Sequence, residues 1–155
     1  MRTWKSVALG LGALSVASPT IAADGWYLGV WTIEHAGRAP WASPDLQGAG
    51  AERDRLLGKE ITLGPDTISG PSPFACKGPH YQLTGFTADM LFQGAFGEMQ
   101  SKNKSVDPNK IAASLGFVGT RIRTLETGCE LDFHFVDKTT AEIGLNDYVY
   151  TLKKQ

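Results

Sequence analysis

Apolar and polar residues alternate almost without interruption from Val118 to the C-terminus. A period of two is typical of β-strands with one buried face. Two-residue turns at Thr127-Gly128 and Asn146-Asp147, with a three-residue loop at 137–139, divide this segment into four strands and bring every apolar residue to one face. The pattern therefore predicts an antiparallel meander.

The predicted turns also fix which residues lie opposite each other. The predicted apolar pairs are Leu131–Thr124, Phe133–Ile122 and Phe135–Thr120; Phe135–Ala141, Phe133–Ile143 and Leu131–Leu145; and Leu145–Tyr148, Ile143–Tyr150 and Ala141–Leu152. The predicted polar pairs are Arg123–Asp132, Arg121–His134, His134–Glu142 and Glu142–Thr151. We expect the polar face to be a solvated surface in which opposite charges meet.

The first half of the mature chain also indicates strands. Strands are predicted over 25–34, 57–63, 67–70 and 80–86, and helices over 88–96 and 107–115. A turn at Pro65-Asp66 sets Leu63 opposite Ile68, and Asp107 is the candidate N-cap because a proline follows it. The Gly- and Pro-rich stretch 36–54 is predicted to be a long surface loop.

Together these elements favour a mainly β fold. About eight antiparallel strands with one or two short helices suit a closed or nearly closed barrel, because closure removes exposed sheet edges. A β-sandwich, or an α+β sheet with a helix against it, is the alternative.

The N-terminal residues have the layout of a secretory signal peptide. Arg2 and Lys5 precede an uncharged, mostly apolar run over 6–17, and small residues lead up to Asp24. The apolar run is shorter than the roughly 20 residues that a membrane-spanning helix needs. We expect residues 1–23 to be removed and residues 24–155 to form one exported domain without a membrane span, periplasmic if the cell is Gram-negative.

The charge and the cysteine content narrow the possible functional classes and partners further. The formal net charge is −1 with both signs scattered, so nucleic acid is not expected as a partner. The two cysteines, Cys76 and Cys129, have no Cys-x-x-Cys spacing, and an exported protein favours a disulfide between them. Such a bridge contributes roughly 4 kcal/mol in the loop-closure picture. No metal and no cofactor is expected.

Two short segments resemble a known family. Gly29-Val30-Trp31 in the first strand is similar to the Gly-x-Trp signature of lipocalins, and Asn146 to Tyr150 resembles their Thr-Asp-Tyr segment. Lipocalins are eight-stranded barrels in which the tryptophan plugs the closed end and the open end admits a small apolar ligand, and smaller lipocalin-like barrels act as envelope inhibitors. The family's segment lies earlier and precedes an Arg and a C-terminal helix, so only Gly29 and Trp31 carry over, with a structural role.

Candidate binding residues are mainly aromatic. A barrel cavity would be walled by Trp26, Tyr27, Trp31, Phe133, Tyr148 and Tyr150. In the loop, Trp41 with Arg38 beside it suits a protein contact, although the ring could instead fold back and cap the barrel. The helix over 88–96 carries Met and Phe residues that suit either an adaptable groove or, more simply, a buried face.

Candidate chemistry centres on the three histidines. His134 opposite Glu142 resembles half of a divalent-metal site, but a solvated sheet face explains the same pattern. His35 and His80 lie at strand ends, and no Gly-x-Ser-x-Gly elbow accompanies them. A small hydrolase-like enzyme using His80 or His134 remains an alternative.

The sequence therefore predicts an exported, non-enzymatic binding protein. It would hold a small apolar ligand inside a barrel or contact a protein partner through its loops, and a periplasmic enzyme inhibitor is the alternative within that class. A filled barrel with a projecting loop would favour the inhibitor.

Overall fold

The structure is a computed structural model that describes residues 25–44 and 50–155; the predicted signal segment 1–23 lies outside the described residues. The strands are β1 (Gly29–Arg38), β2 (Glu60–Leu63), β3 (Thr67–Ser69), β4 (Cys76–Lys77), β5 (Gln82–Phe86), β6 (Ile122–Glu126), β7 (Phe133–Phe135), β8 (Thr140–Leu145) and β9 (Tyr148–Lys154). The helices are α1 (Gly50–Leu56), α2 (Leu91–Lys102), which a 3₁₀ turn at Ala88–Met90 precedes, and α3 (Pro108–Ser114). Among the described residues no helix is long and apolar enough to cross a membrane.

All nine strands belong to one antiparallel sheet in the order β4-β3-β2-β1-β9-β8-β7-β6-β5. The sheet curls into a half-barrel whose edge strands β4 and β5 do not pair with each other. The predicted mainly β fold is confirmed, but the predicted closed or nearly closed barrel of about eight strands is wrong. The segment that would have to close it, 70–81, contains three prolines, which cannot donate to a hydrogen-bond ladder, and β4 is only two residues long.

A disulfide crosses the open side of the half-barrel instead. Cys76 in β4 is bonded to Cys129, which follows β6, with their Cα atoms 6.5 Å apart. The predicted pairing is confirmed. Nearby, the Tyr81 hydroxyl donates to the Gly64 carbonyl at 2.8 Å and adds a second link across the same gap.

The two faces of the sheet are both covered. The inner face carries the larger core, which includes Trp31, Ile33 and Tyr150 and which Leu56 of α1 completes. The outer face packs against α2 and α3 through Phe92, Phe96, Ala112, Phe117, Ile122 and Val149. The helices thus form a second layer that strand periodicity alone did not predict.

Most of the predicted registers are confirmed. Leu63 lies opposite Ile68, Phe135 opposite Ala141, and His134 opposite Glu142. The β8–β9 hairpin has the predicted pairs Ala141–Leu152, Glu142–Thr151, Ile143–Tyr150 and Leu145–Tyr148. The N-cap is confirmed as well, since the Asp107 carboxylate accepts from the Asn109 amide at 2.9 Å.

The predicted register between β6 and β7 is wrong. Leu125 lies opposite Phe133, Thr124 opposite His134, and Arg123 opposite Phe135, so Arg123 and Arg121 do not face Asp132 and His134. The connection is a loop over 127–132 rather than a two-residue turn. The Thr127 hydroxyl organises this loop, accepting from the Cys129 amide at 3.1 Å and donating to the Leu131 carbonyl at 2.8 Å.

Two element predictions also need correction. The predicted loop over 36–54 contains the end of β1 and most of helix α1. The predicted helix over 88–96 is interrupted, because Phe92, Gln93 and Gly94 all have positive φ. The regular part of α2 follows this left-handed turn.

Candidate functional site

One line of polar side chains crosses the outer face of the sheet from β5 to β1. Directly opposed pairs place Thr84 beside Thr124, Thr124 beside His134, His134 beside Glu142, Glu142 beside Thr151, and Thr151 beside His35. We call these six residues the polar row. The row was expected to be a solvated, salt-bridged surface, but His134 is only 1% exposed and Glu142 only 5%. Its middle is buried because α2, α3 and their flanking residues cover this face.

His134 is held as a neutral imidazole by its neighbours. The Phe92 amide donates to Nε2 at 3.0 Å, so Nε2 is an acceptor and Nδ1 carries the proton. Nδ1 lies 2.9 Å from the Thr124 hydroxyl oxygen and donates a hydrogen bond to it. Burial lowers the pKa of His134 to about 3, because removal from water disfavours the charged form of the ring. Both ring nitrogens are therefore engaged within the protein.

The amide that reaches His134 belongs to the left-handed turn at the start of α2. Phe92 and Gln93 have φ values of 52° and 56°, and Gly94 has 82°. Left-handed backbone costs roughly 1–2 kcal/mol for each non-glycine residue. The Phe92 ring also packs edge-on against the imidazole, with centroids 4.7 Å apart. His134 thus fixes both the backbone and the ring of Phe92.

Glu142 lies next to His134 on the polar row. The Thr151 hydroxyl donates to its carboxylate, with Oγ1 3.0 and 3.1 Å from the two oxygens. Burial raises the pKa of Glu142 to about 7, and the Thr151 hydrogen bond and the charge of Lys153 only partly oppose this effect. Glu142 takes part in none of the ion pairs found among residues 25–44 and 50–155.

A small cavity opens onto this end of the polar row, and we call it the Glu142 cavity. It has a volume of about 230 Å³ and lies between β1, β8, β9 and the end of α3. Its lining comprises His35, Gly37, Arg38, Ser114, Leu115, Glu142, Val149 and Thr151. A buried carboxylate is thus accessible from a polar recess.

A larger groove lies along α2, and we call it the Trp41 groove. It has a volume of about 530 Å³ and is lined by Pro40, Trp41, Ala95, Glu98, Met99, Lys102, Asn103 and Val106. Trp41 forms one wall; its Nε1 donates to the Asn146 carbonyl at 2.8 Å, and its ring lies 5.1 Å from that of Phe92. The ring therefore folds back onto the outer face of the sheet, and its accessible edge borders the groove.

The structure distributes the predicted binding residues over separate places. Trp31, Tyr150, Phe133 and Tyr27 are buried in the inner core, while Trp26 and Tyr148 are half-buried beside it. Arg38 borders the Glu142 cavity and donates to the Ser43 carbonyl, whereas Trp41 borders its own groove. Arg38 and Trp41 thus line different cavities, and their role in a protein contact stays a prediction.

The histidines are equally separated. His35 ends the polar row, His134 is buried in its middle, and His80 is exposed in the segment between β4 and β5, beside Gly128. In the part of the chain that the structure describes, no three His, Cys, Asp or Glu side chains form a group suited to a metal ion.

Sequence reasoning missed the burial of Glu142 and the cavity beside it. The signal was indirect: three threonines accompany His134 and Glu142 on a strand face, and the two predicted helices needed a sheet face to cover. Combining the two predictions would have placed a helix over the polar face.

No protein-family model matches the chain, and no curated protein or solved structure matches it either. The resemblance to lipocalins therefore rests on Gly29 and Trp31 alone and stays a prediction. Trp31 is buried in β1, where its Nε1 donates to the Tyr27 carbonyl at 2.9 Å.

Proposed function

We propose that this protein is an exported, non-enzymatic binding protein that takes a small apolar ligand in the Trp41 groove. The signal-like residues at the N-terminus support the export. The observation that carries the binding role is a groove of about 530 Å³ with a fixed indole wall. Ligand sites commonly have volumes of about 300–1,000 Å³ and mostly apolar walls.

The wall of the groove is pre-organised. The Trp41 indole is held by Asn146 on one side and by the ring of Phe92 on the other, so binding does not have to order it. Met99, on the opposite side, has a flexible side chain that adapts to ligand shape. At the rim, Lys102 pairs with Glu98 at 2.6 Å, which leaves no net charge there to favour an ionic ligand.

The groove is a better candidate than the interior of the half-barrel. The inner face is filled by its own large side chains, with Trp31, Ile33 and Tyr150 each fully buried. The small apolar ligand expected inside a barrel is therefore proposed to bind on the outer face.

The contacts of His134 favour binding over catalysis. A general base needs a free ring nitrogen within hydrogen-bond reach of its substrate. His134 donates to Thr124 and accepts from Phe92, whereas His80 is exposed in the segment between β4 and β5. A hydrolase using His134 would require these hydrogen bonds to break, and a hydrolase using His80 stays an alternative.

One observation favours the inhibitor alternative. Val118 is 85% exposed, in a loop where Gly116 and Gly119 both have positive φ. A loop that presents an apolar side chain suits insertion into a partner's cleft. Substituting Val118→Asp would abolish such inhibition while leaving ligand binding in the Trp41 groove unchanged.

The groove proposal is tested with N-phenyl-1-naphthylamine, a neutral apolar dye that fluoresces when bound. We expect saturable binding that shifts the Trp41 indole resonance in ¹H–¹⁵N spectra. The Ala95→Phe variant fills the groove and should lose binding, whereas Ala113→Phe on the exposed side of α3 should retain it. Equal binding by both variants, or a shift confined to other indoles, would refute the proposal.

A further inference from the structure

Strand β5 is an open edge of the sheet. In the part of the chain that the structure describes, β5 pairs with β6 on one side and with no strand on the other. Its five residues, Gln82–Phe86, include no charged residue and no proline, which are the residues that commonly protect an edge strand from further pairing. The edge can therefore accept another strand through main-chain hydrogen bonds.

Exposed apolar side chains collect around this edge. Leu83 is 39% exposed, although Leu125, its partner across the strand pair, is fully buried in the inner core. The other two exposed large apolar side chains among the described residues are Met90, four residues after β5, and Val118, four residues before β6. Because the end of β5 pairs with the start of β6, both lie beyond the same end of the strand pair. This concentration indicates a surface that a partner covers.

Two arginines lie beside the same edge. Arg123 is opposite Gly85 in the β5–β6 register, and Arg121, two residues earlier, shares its face. The Arg121 side chain packs over Gly85, since its Cβ lies 3.6 Å from where a Gly85 Cβ would be, and its Nη1 donates to the Gly85 carbonyl at 3.0 Å. Because glycine has no side chain, the guanidinium reaches the edge strand itself.

Both arginines are available to an acidic partner. They are exposed, and neither takes part in an ion pair found among the described residues. Arg123 lies over the Trp26 ring, with its Cζ 5.5 Å from the ring centroid. The acidic residue of β6, Glu126, is on the opposite face, where it accepts from the Thr84 hydroxyl at 2.6 Å.

We propose that the edge of β5 binds an extended acidic segment of another protein, which adds to the sheet as a further strand and places a carboxylate against Arg121 and Arg123. A guanidinium has five N–H donors, so Arg121 can bind this carboxylate while it keeps its bond to Gly85. A second copy of this chain fits less well, because its own β5 has no acidic residue to meet the arginines. The edge is separate from the Trp41 groove, so the two proposals stand or fall independently.

The probe is the capped heptapeptide Thr-Val-Thr-Glu-Thr-Val-Thr, added to the mature, disulfide-bonded protein. When its glutamate lies opposite Gly85, a valine lies opposite Leu83 in either strand direction. We expect saturable chemical-shift changes and slower hydrogen exchange at the β5 amides. Replacing the glutamate by lysine should weaken binding about 10-fold or more.

Methylated peptides test whether the contact is a hydrogen-bonded strand. Successive amides of a strand point to opposite edges, so only every second amide of the peptide faces β5. One peptide is N-methylated at the threonines and another at the valines and the glutamate. One of the two should lose binding, and the other should keep it.

Arg121→Glu tests the charge contact, and Lys110→Glu is the matched control, because Lys110 is an exposed residue of α3 and its replacement changes the charge equally. Arg121→Glu should weaken binding of the glutamate peptide about 10-fold or more and should prefer the lysine peptide. Lys110→Glu should bind as the wild type does. An exchange of preference between the two peptides is not an effect that misfolding produces.

The proposal is overturned if the β5 amides do not respond at millimolar peptide, if both methylated peptides bind equally, or if the two variants bind the glutamate peptide alike. Changes at β5 that depend on protein concentration in the absence of peptide would show that a second copy occupies the edge, and they would overturn it as well.

Discussion

His134 and Glu142 are directly opposite each other on neighbouring strands, and burial shifts their pKa values in opposite directions. Each shift favours the neutral form, since the low-polarity layer under α2 and α3 disfavours any charge. The two groups therefore have opposite effects on the pH dependence of stability.

The signs can be stated for each group. The pKa of Glu142 rises from 4.5 to about 7 on folding, so its contribution to stability is complete below pH 4.5 and is lost as the pH rises through 7. The pKa of His134 falls from 6.5 to about 3, so its contribution is complete above pH 6.5 and is lost as the pH falls through 3. Between pH 4.5 and 6.5 the two slopes oppose each other.

Glu142→Gln should therefore uncover the slope due to His134. Relative to the wild type, the free energy of unfolding of this variant should increase by about 1.4 kcal/mol per pH unit between pH 4.5 and 6.5. Urea unfolding across this range measures the difference. His134→Gln is the reciprocal control and should show the opposite slope, and parallel curves for all three proteins would contradict the assignment.

Gly144 is a second residue at which a single substitution should have a local effect on packing. A Cβ at this position would lie 2.8 Å from Phe92 Cδ1 and 3.1 Å from two atoms of the Trp41 ring. Both rings are held by other contacts, so they cannot move aside freely. Gly144→Ala should lower the free energy of unfolding by about 1–3 kcal/mol, as measured by urea denaturation.

Gly37→Ala is the matched control, because this strand glycine on the same face has ordinary space around it. Its stability should be unchanged or slightly higher. Equal losses in the two variants would show that the close packing of Trp41 over Gly144 is not the cause.

At the scale of elements, the start of α2 combines an unfavourable left-handed backbone conformation with the contacts that Phe92 makes with His134. Gln93 is exposed and has φ 56° and ψ 33°, a conformation that glycine adopts without steric cost. Gln93→Gly should therefore raise the free energy of unfolding by up to about 1 kcal/mol.

Gln100→Gly provides the comparison, because Gln100 lies in the regular part of α2. A glycine there should cost about 1 kcal/mol. Thermal unfolding followed by circular dichroism distinguishes the two, and a loss at Gln93 equal to that at Gln100 would exclude strain relief.

Elements with local turn chemistry were predictable from the sequence. The β8–β9 register followed from Asn146-Asp147, where Asn146 adopts φ 52°, and α3 followed from Asp107 and the proline after it. The β6–β7 register was not predictable in the same way. Thr127-Gly128 has the composition of a turn, but the side-chain bonds of Thr127 and the distant Cys76 bonded to Cys129 shape a longer loop.

At the scale of the whole molecule, alternation predicts that a sheet has two faces but not what covers each one. The same pattern fits a solvated polar face and a polar row under helices, so the burial of His134 and Glu142 could not be read from it. Nor does alternation say how far a sheet curls, which here depends on the proline-containing segment between β3 and β5.

The disulfide should be the main restraint on the open side of the half-barrel. It joins residues separated by 53 positions and links edge strand β4 to the loop after β6, where no strand pairing holds the two edges together. Replacing Cys76 and Cys129 together by alanine should lower the free energy of unfolding by about 2–5 kcal/mol. Hydrogen exchange should then increase first in β3, β4 and β5, while β8 and β9, which are paired on both sides, keep their protection.

Wild-type protein treated with reductant should behave like the double variant. A variant whose exchange increases equally in all strands would indicate that the bond stabilises the fold as a whole rather than the gap that it spans.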